Sequence, residues 1–144
     1  MKNLEFKFRF NPVWSYSASL PRTKDQDYTI TEVNQICPLF KNDENKTIGH
    51  VIISGILYES IDKKKNYLYK SNHTYVLQNG VLNATYNFKK TTGINGDNTV
   101  FPSNTVFRTP IAPGGSGIYA FSSGKIILRT DTSFVRKVVV KFTE

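Results

Sequence analysis

Apolar and polar residues alternate one by one over long stretches of this 144-residue chain, and a repeat of two belongs to a β-strand. Residues 4–10 show it most clearly. Leu4, Phe6, Phe8 and Phe10 fall on one side, and Glu5, Lys7 and Arg9 on the other. Successive side chains of a strand point to opposite faces, so this segment has one oily face and one charged face. Further strands are expected over 27–36, from Ile48 to Tyr58, on both sides of Asn79-Gly80, and from Val106 to Ile111. Lys125 to Thr130 and Phe134 to Phe142 complete the set. Ten Phe and eight Tyr suit such a chain, because aromatic rings pack well on a pleated surface. Six to eight strands joined by polar turns make a sandwich or a barrel, and 144 residues suffice for one hydrophobic core.

The sharpest local expectation is a hairpin. Asn79-Gly80 is the strongest short signal for a two-residue type I′ turn. With Gln78 and Val81 flanking it, Leu77 opposes Leu82, Tyr75 opposes Ala84 and His73 opposes Tyr86. One face then carries His73, Tyr75, Leu77, Leu82, Ala84, Tyr86 and Phe88, while the other is largely polar. Cys37-Pro38 is expected to end the strand over 27–36, and Asn42 to Lys46 to form a polar turn. Gly49 and Gly55 suggest a bulge or a bend at a barrel corner. Residues 91–104 read as a polar loop, and Asp131-Thr132-Ser133 joins the last two strands. In the last strand Arg136 shares a face with Phe134, Val138, Val140 and Phe142. A cation on an apolar face either pairs inside or reaches a subunit interface.

Composition narrows the function classes. The net charge of +8 makes the surface attractive to anions, but the cations are scattered along the chain. The densest runs, Lys63-Lys64-Lys65 and Lys89-Lys90, read as solvated loop tips, with nucleic-acid binding as the weaker alternative. A single cysteine, Cys37, excludes an internal disulfide, and its neighbours Ile36, Pro38 and Leu39 give it the character of a small buried apolar residue. Two histidines and one cysteine, far apart, give no metal-ligand spacing, so neither a metal nor a cofactor is expected. No stretch has the length of a membrane-spanning helix, and no secretory signal pattern opens the chain. A cytoplasmic protein, or one built into a particle assembled inside the cell, is the expectation. The Asn-x-Ser/Thr patterns at Asn45, Asn72 and Asn83 then reflect an Asn- and Thr-rich composition.

The stretch from Pro110 to Arg129 holds four glycines, Gly114, Gly115, Gly117 and Gly124, between two apolar runs. A phosphate-binding loop would open a helix and carry a Lys followed by Ser or Thr; here a strand follows, so these glycines read as a structural bend. An apolar residue, Gly-Gly-Ser-Gly, an aromatic and a later Gly before a strand resemble the barrels of allene oxide cyclases and dirigent proteins. Cys37-Pro38-Leu39-Phe40, Lys46-Thr47-Ile48-Gly49 and the Tyr75 to Tyr86 hairpin follow in a similar order, so the likeness runs over about 36–142. The resemblance implies an all-β fold, a small antiparallel closed β-barrel of about eight strands, with residues 1–35 as an N-terminal extension plus first strands of one domain. It also implies a homo-oligomer, a trimer through sheet faces. Cyclases carry a Glu-apolar-Asn pattern on their first barrel strand. Glu32-Val33-Asn34 has those letters but lies too close to Gly49, so the barrel carries over and the reaction does not.

The leading expectation is therefore a non-catalytic, oligomeric structural or binding module, such as a virion or other assembly component. The alternative is a lumen site for a hydrophobic small molecule, a carrier or a cyclase-like isomerase, in which His73, Tyr75 and Tyr86 line the pocket. No catalytic set is assigned.

Overall fold

The computed structural model of the chain describes residues 1–9, 15–41, 45–61, 67–90, 105–130 and 135–143. They form ten strands: β1 (Leu4–Arg9), β2 (Ser15–Ser19), β3 (Tyr28–Phe40), β4 (Thr47–Ser60), β5 (Tyr67–Leu77), β6 (Gly80–Lys90), β7 (Thr105–Pro110), β8 (Ala112–Gly117), β9 (Gly124–Thr130) and β10 (Val135–Phe142). Phe10, Trp14, Lys63-Lys64-Lys65, the loop over 91–104, Asp131-Thr132-Ser133 and Phe134 lie outside the described residues.

The sheet runs β7-β9-β10-β1-β3-β4-β5-β6-β8, with β2 beside β3. Every pairing is antiparallel. β7 and β8 are two halves of one stretch that turns at Ile111. β7 pairs with β9 and β8 pairs with β6, so the two ends of the sheet meet. Across this seam the Thr109 hydroxyl donates to the Thr85 carbonyl at 3.0 Å, and Asn83 Nδ2 donates to the Pro113 carbonyl at 3.3 Å. The result is the expected small all-β antiparallel barrel of about eight staves. Closure satisfies edges that an open sheet would leave unpaired.

The alternation decides what fills it. Phe6 and Phe8 of β1 point inward with Leu39, Val51, Leu82, Leu128 and Val140, all at most 1 % exposed. Burial of each such side chain contributes about 1.5–3 kcal/mol. Gly49 sits beside a register shift at Leu39/Phe40, the expected bulge. Gly55 causes no shift. Its missing side chain makes room for the Tyr69 ring, whose Oη would lie 2.7 Å from a Cβ there.

Four local expectations are corrected. The hairpin loop is Gln78-Asn79, because Leu77 pairs with Gly80; Tyr75 therefore opposes Leu82, His73 opposes Ala84, and Ser71 opposes Tyr86. A tertiary contact explains the slip. Gly80 packs its Cα against the Ser116 carbonyl of β8, and the Asn79 carbonyl accepts the Ile118 N–H at 3.0 Å. The slip moves each partner by two residues, so every side chain keeps its face. Second, β3 runs through Cys37-Pro38 to Phe40. Pro38 faces outward between the part of β3 held by β2, up to Gln35, and the part held by β1, from Leu39, so its missing N–H breaks no pairing among the described residues on that side.

Third, the glycine segment is itself a strand. Gly114, Gly115 and Gly117 belong to β8, and Gly124 opens β9. Gly117 has φ 62°, a left-handed backbone that side chains disfavour, and a Cβ there would meet the Asn79 carbonyl. These glycines let β8 close against β6. Fourth, Lys89-Lys90 lies in β6, not in a loop tip.

Candidate functional site

The barrel interior has two ends of different character. Around Phe6, Leu39, Leu82, Ile126, Leu128 and Val140 it is apolar and filled. Towards the end where β1, β4, β6 and β9 finish, the buried side chains become polar: Gln35, Ser71, His73, Thr130 and Arg136, none more than 4 % exposed. Inward alternation explains each of them, since they continue the same faces as Leu39, Tyr75, Leu128 and Val138.

His73, Tyr75 and Tyr86 are brought together here. His73 Nδ1 lies 3.1 Å from the Tyr75 hydroxyl, which lies 3.0 Å from the Tyr86 hydroxyl. The chain of bonds can run in either sense. If Tyr86 donates to Tyr75 and Tyr75 to Nδ1, then Nε2 carries the imidazole hydrogen; in the opposite sense Nε2 is a bare acceptor. In both, Nε2 is buried and has no hydrogen-bond partner among the described residues. The three rings are fixed edge-on: His73 to Tyr86 at 4.6 Å, His73 to Tyr75 at 5.8 Å, and Phe8 to His73 at 6.0 Å. Such packing leaves little rotational freedom.

The electrostatics follow from burial. Removal from water pushes the His73 pKa down to about 3, helped by the positive charge of Arg136, so the imidazole is neutral at ordinary pH. Burial likewise raises Tyr75 well above the usual phenol range, with Tyr86 adding to the effect. Tyr86 is raised too, again by burial, against which the Tyr75 hydrogen bond works. Both phenols stay protonated. The Arg136 pKa is lowered by burial and held up by the nearby Cys37. Its charge survives, because guanidinium loses its proton only far above neutral pH.

Of the residues singled out from sequence, His73, Tyr75 and Tyr86 converge, and Arg136 lies inside the barrel instead of on an outer face. A residue 2 % exposed offers no surface to a second copy, which removes the interface reading of Arg136. The glycines Gly114, Gly115, Gly117 and Gly124 sit at the other end and act on the backbone alone. Glu32 and Asn34 point to solvent from β3, so the cyclase-like letters do not line the interior. Sequence reasoning missed Ser71, Gln35 and Thr130, although each lies two residues from an expected inward position or on its parity. Cys37 is buried as expected. Among the described residues no group of three His, Cys, Asp or Glu could hold a metal ion.

The apolar end opens to a separate cleft of about 770 Å³ beside Leu4, Ile48, Leu77 and Tyr119, with Lys41 and Lys46 at its rim. It shares Phe6 and Tyr119 with the core beneath, and none of the polar cluster.

A search of family models finds no match, and no curated protein matches the chain. Among solved structures, a pyocyanin demethylase is similar in fold, with a TM-score of 0.58 and 16 % sequence identity over 99 % of this chain and 100 % of that one. Identity this low speaks to the barrel and not to its contents. No described helix is long and apolar enough to cross a membrane.

Proposed function

We propose that this protein binds a small molecule inside the barrel, with the His73–Tyr75–Tyr86 cluster and Arg136 receiving the polar group of a flat, largely apolar ligand. The unpartnered His73 Nε2 carries this reading. A buried polar atom left unsatisfied costs about 1–3 kcal/mol, and native interiors rarely tolerate one without a use. Beside a buried cation, an Nε2–H donor suits a carbonyl or carboxylate oxygen, and the surrounding rings suit an aromatic body. Neutral imidazole and two protonated phenols also form a proton relay, so acid–base chemistry on such a ligand is within the reach of the site. A barrel similar to this one is named for a reaction on pyocyanin, which is compatible with a small-molecule role for the architecture.

The test uses anilinonaphthalene sulfonate, an anionic aromatic probe. Saturable binding of one probe per chain is expected, weakened about 10-fold in Tyr86→Phe, which keeps the ring and loses one hydrogen bond. Binding that does not saturate, or that is identical in Tyr86→Phe and His73→Gln, would sink the proposal.

A second reading rests on the outer face of β3 and β4. Ile36 (48 % exposed) lies directly opposite Ile52 (41 %), with Ile56 (38 %) further along. Adjacent exposed isoleucines favour association of copies through this face, which supports the oligomeric module and the trimer that the allene oxide cyclase resemblance implies. A role in a virion or another assembly would use the same face. Sedimentation of wild type as a multimer, and of Ile36→Asp/Ile52→Asp as a monomer, is the expected result. A wild-type monomer at high concentration would remove this reading.

A further inference from the structure

Cations that look scattered along the sequence are gathered by the sheet onto one outer face. Lys7 of β1 lies directly opposite Lys137 of β10, which lies opposite Arg129 of β9, giving three positive residues in a row across three strands. Four residues further along, beyond Val139 and Ile127, Lys141 lies opposite Lys125. Arg9 continues β1, and Arg108 stands on the neighbouring β7, opposite Ile127. All of them point away from the core, because Phe6, Phe8, Leu128, Val138 and their neighbours take the inward positions. Among the described outward residues of these four strands, Glu5 is the single carboxylate. Among the described side chains, the outer faces of β5 and β6 carry Asn72, Thr74, Asn83 and Thr85, with Lys70 as the one cation.

A row of cations on adjacent strands gives this face a positive potential that favours an anionic partner laid across it. Strand geometry spaces paired charges about 5 Å apart across the sheet; along the strands Lys7 and Arg9 stand about 7 Å apart, and the Lys137–Arg129 and Lys141–Lys125 pairs about 14 Å. We infer that the outer face of β7, β9, β10 and β1 docks the phosphate backbone of a nucleic acid. A linear array of closely spaced negative charges meets such a face at several points at once, and the gain from counterion release grows with each contact. No aromatic side chain stands outward among the described residues of these strands, so the face offers no stacking platform for bases. Recognition is therefore of the backbone, indifferent to sequence. The interior site is not involved.

An anionic membrane is the competing partner. Phe121 is fully exposed (106 %) with φ 63°, next to exposed Ile118 on the turn that leads into β9. A lipid surface would use that tip as well as the lysines. Nucleic acid would use the rows and leave the tip untouched.

Fluorescence anisotropy with a mixed-sequence DNA duplex between about 50 and 200 mM salt decides the matter. Wild type should bind with log K falling linearly with log salt, with a slope of about −3 to −5. Lys7→Gln/Arg129→Gln should reduce that slope by about 2 and weaken low-salt binding at least about 10-fold. Lys70→Gln, on the opposite side, should behave as wild type. All are exposed or half-buried outward positions, so circular dichroism should be unchanged and the melting temperature no lower than that of wild type. The inference is overturned if duplex binding is absent at low salt. It is equally overturned if Lys70→Gln weakens binding as much as the double variant, or if phosphatidylserine vesicles bind more tightly than duplex with a loss in Phe121→Ser.

Discussion

Between pH 6.5 and pH 4.5 the wild-type protein should lose about 2 kcal/mol more unfolding free energy than a His73→Gln variant. The folded His73 takes up a proton only near pH 3, whereas an unfolded histidine does so near its ordinary value of 6.5. In the interval between, the unfolded chain holds one more proton than the folded one. Stability therefore rises with pH there, by about 1.4 kcal/mol per unit, and is fully present only above 6.5. Over the whole interval the loss amounts to about 5 kcal/mol, comparable to the total stability of a small domain. Carboxylates also titrate in the lower half of this range, which is why the difference between the two proteins is the quantity to measure. Urea unfolding at half-unit pH steps supplies it. Parallel curves for wild type and variant would mean that His73 is solvated or already charged, and would remove the neutral imidazole on which the proposed interior binding site depends.

Phe6→Ala should cost about 3–5 kcal/mol. The ring is 1 % exposed and stands edge-on to Tyr75 at 5.3 Å, at the level where the apolar plug meets the polar cluster. Its loss removes the transfer free energy of a phenyl ring and leaves a void that β1, held on both sides by β10 and β3, cannot collapse to fill. The shift should show as a lower urea midpoint at unchanged slope. Phe121→Ala serves as the internal control, because the same residue type at 106 % exposure has no core contacts to lose and should fall within about 0.5 kcal/mol of wild type. A loss below about 1 kcal/mol for Phe6→Ala would mean that β1 is not a stave of the barrel.

The fold was legible where it rests on neighbours in the chain. The alternation over 4–10, the hairpin between Tyr75 and Tyr86, and the last strand each announced their faces, and the structure buries Phe6, Phe8, Tyr75, Tyr86, Val138 and Val140 accordingly. The candidate site was half legible for the same reason: His73, Tyr75 and Tyr86 share parity on one hairpin, so their shared side could be read from the turn. Their hydrogen bonds could not, because the bonded order of hydroxyls and imidazole depends on a register that slipped by two. That slip came from Gly80 meeting β8, a strand more than thirty residues away in the chain.

Local alternation thus determined that this protein is all-β and which side chains enter its interior, since the period of two is a property of each strand alone. Tertiary structure decided the rest: that the glycine segment is a strand sealing the barrel, that Arg136 lies inside beside Cys37, and that Lys7, Lys137 and Arg129 stand in one row. Which strands become neighbours is a matter of closure and long-range pairing, and no short window of sequence contains that information.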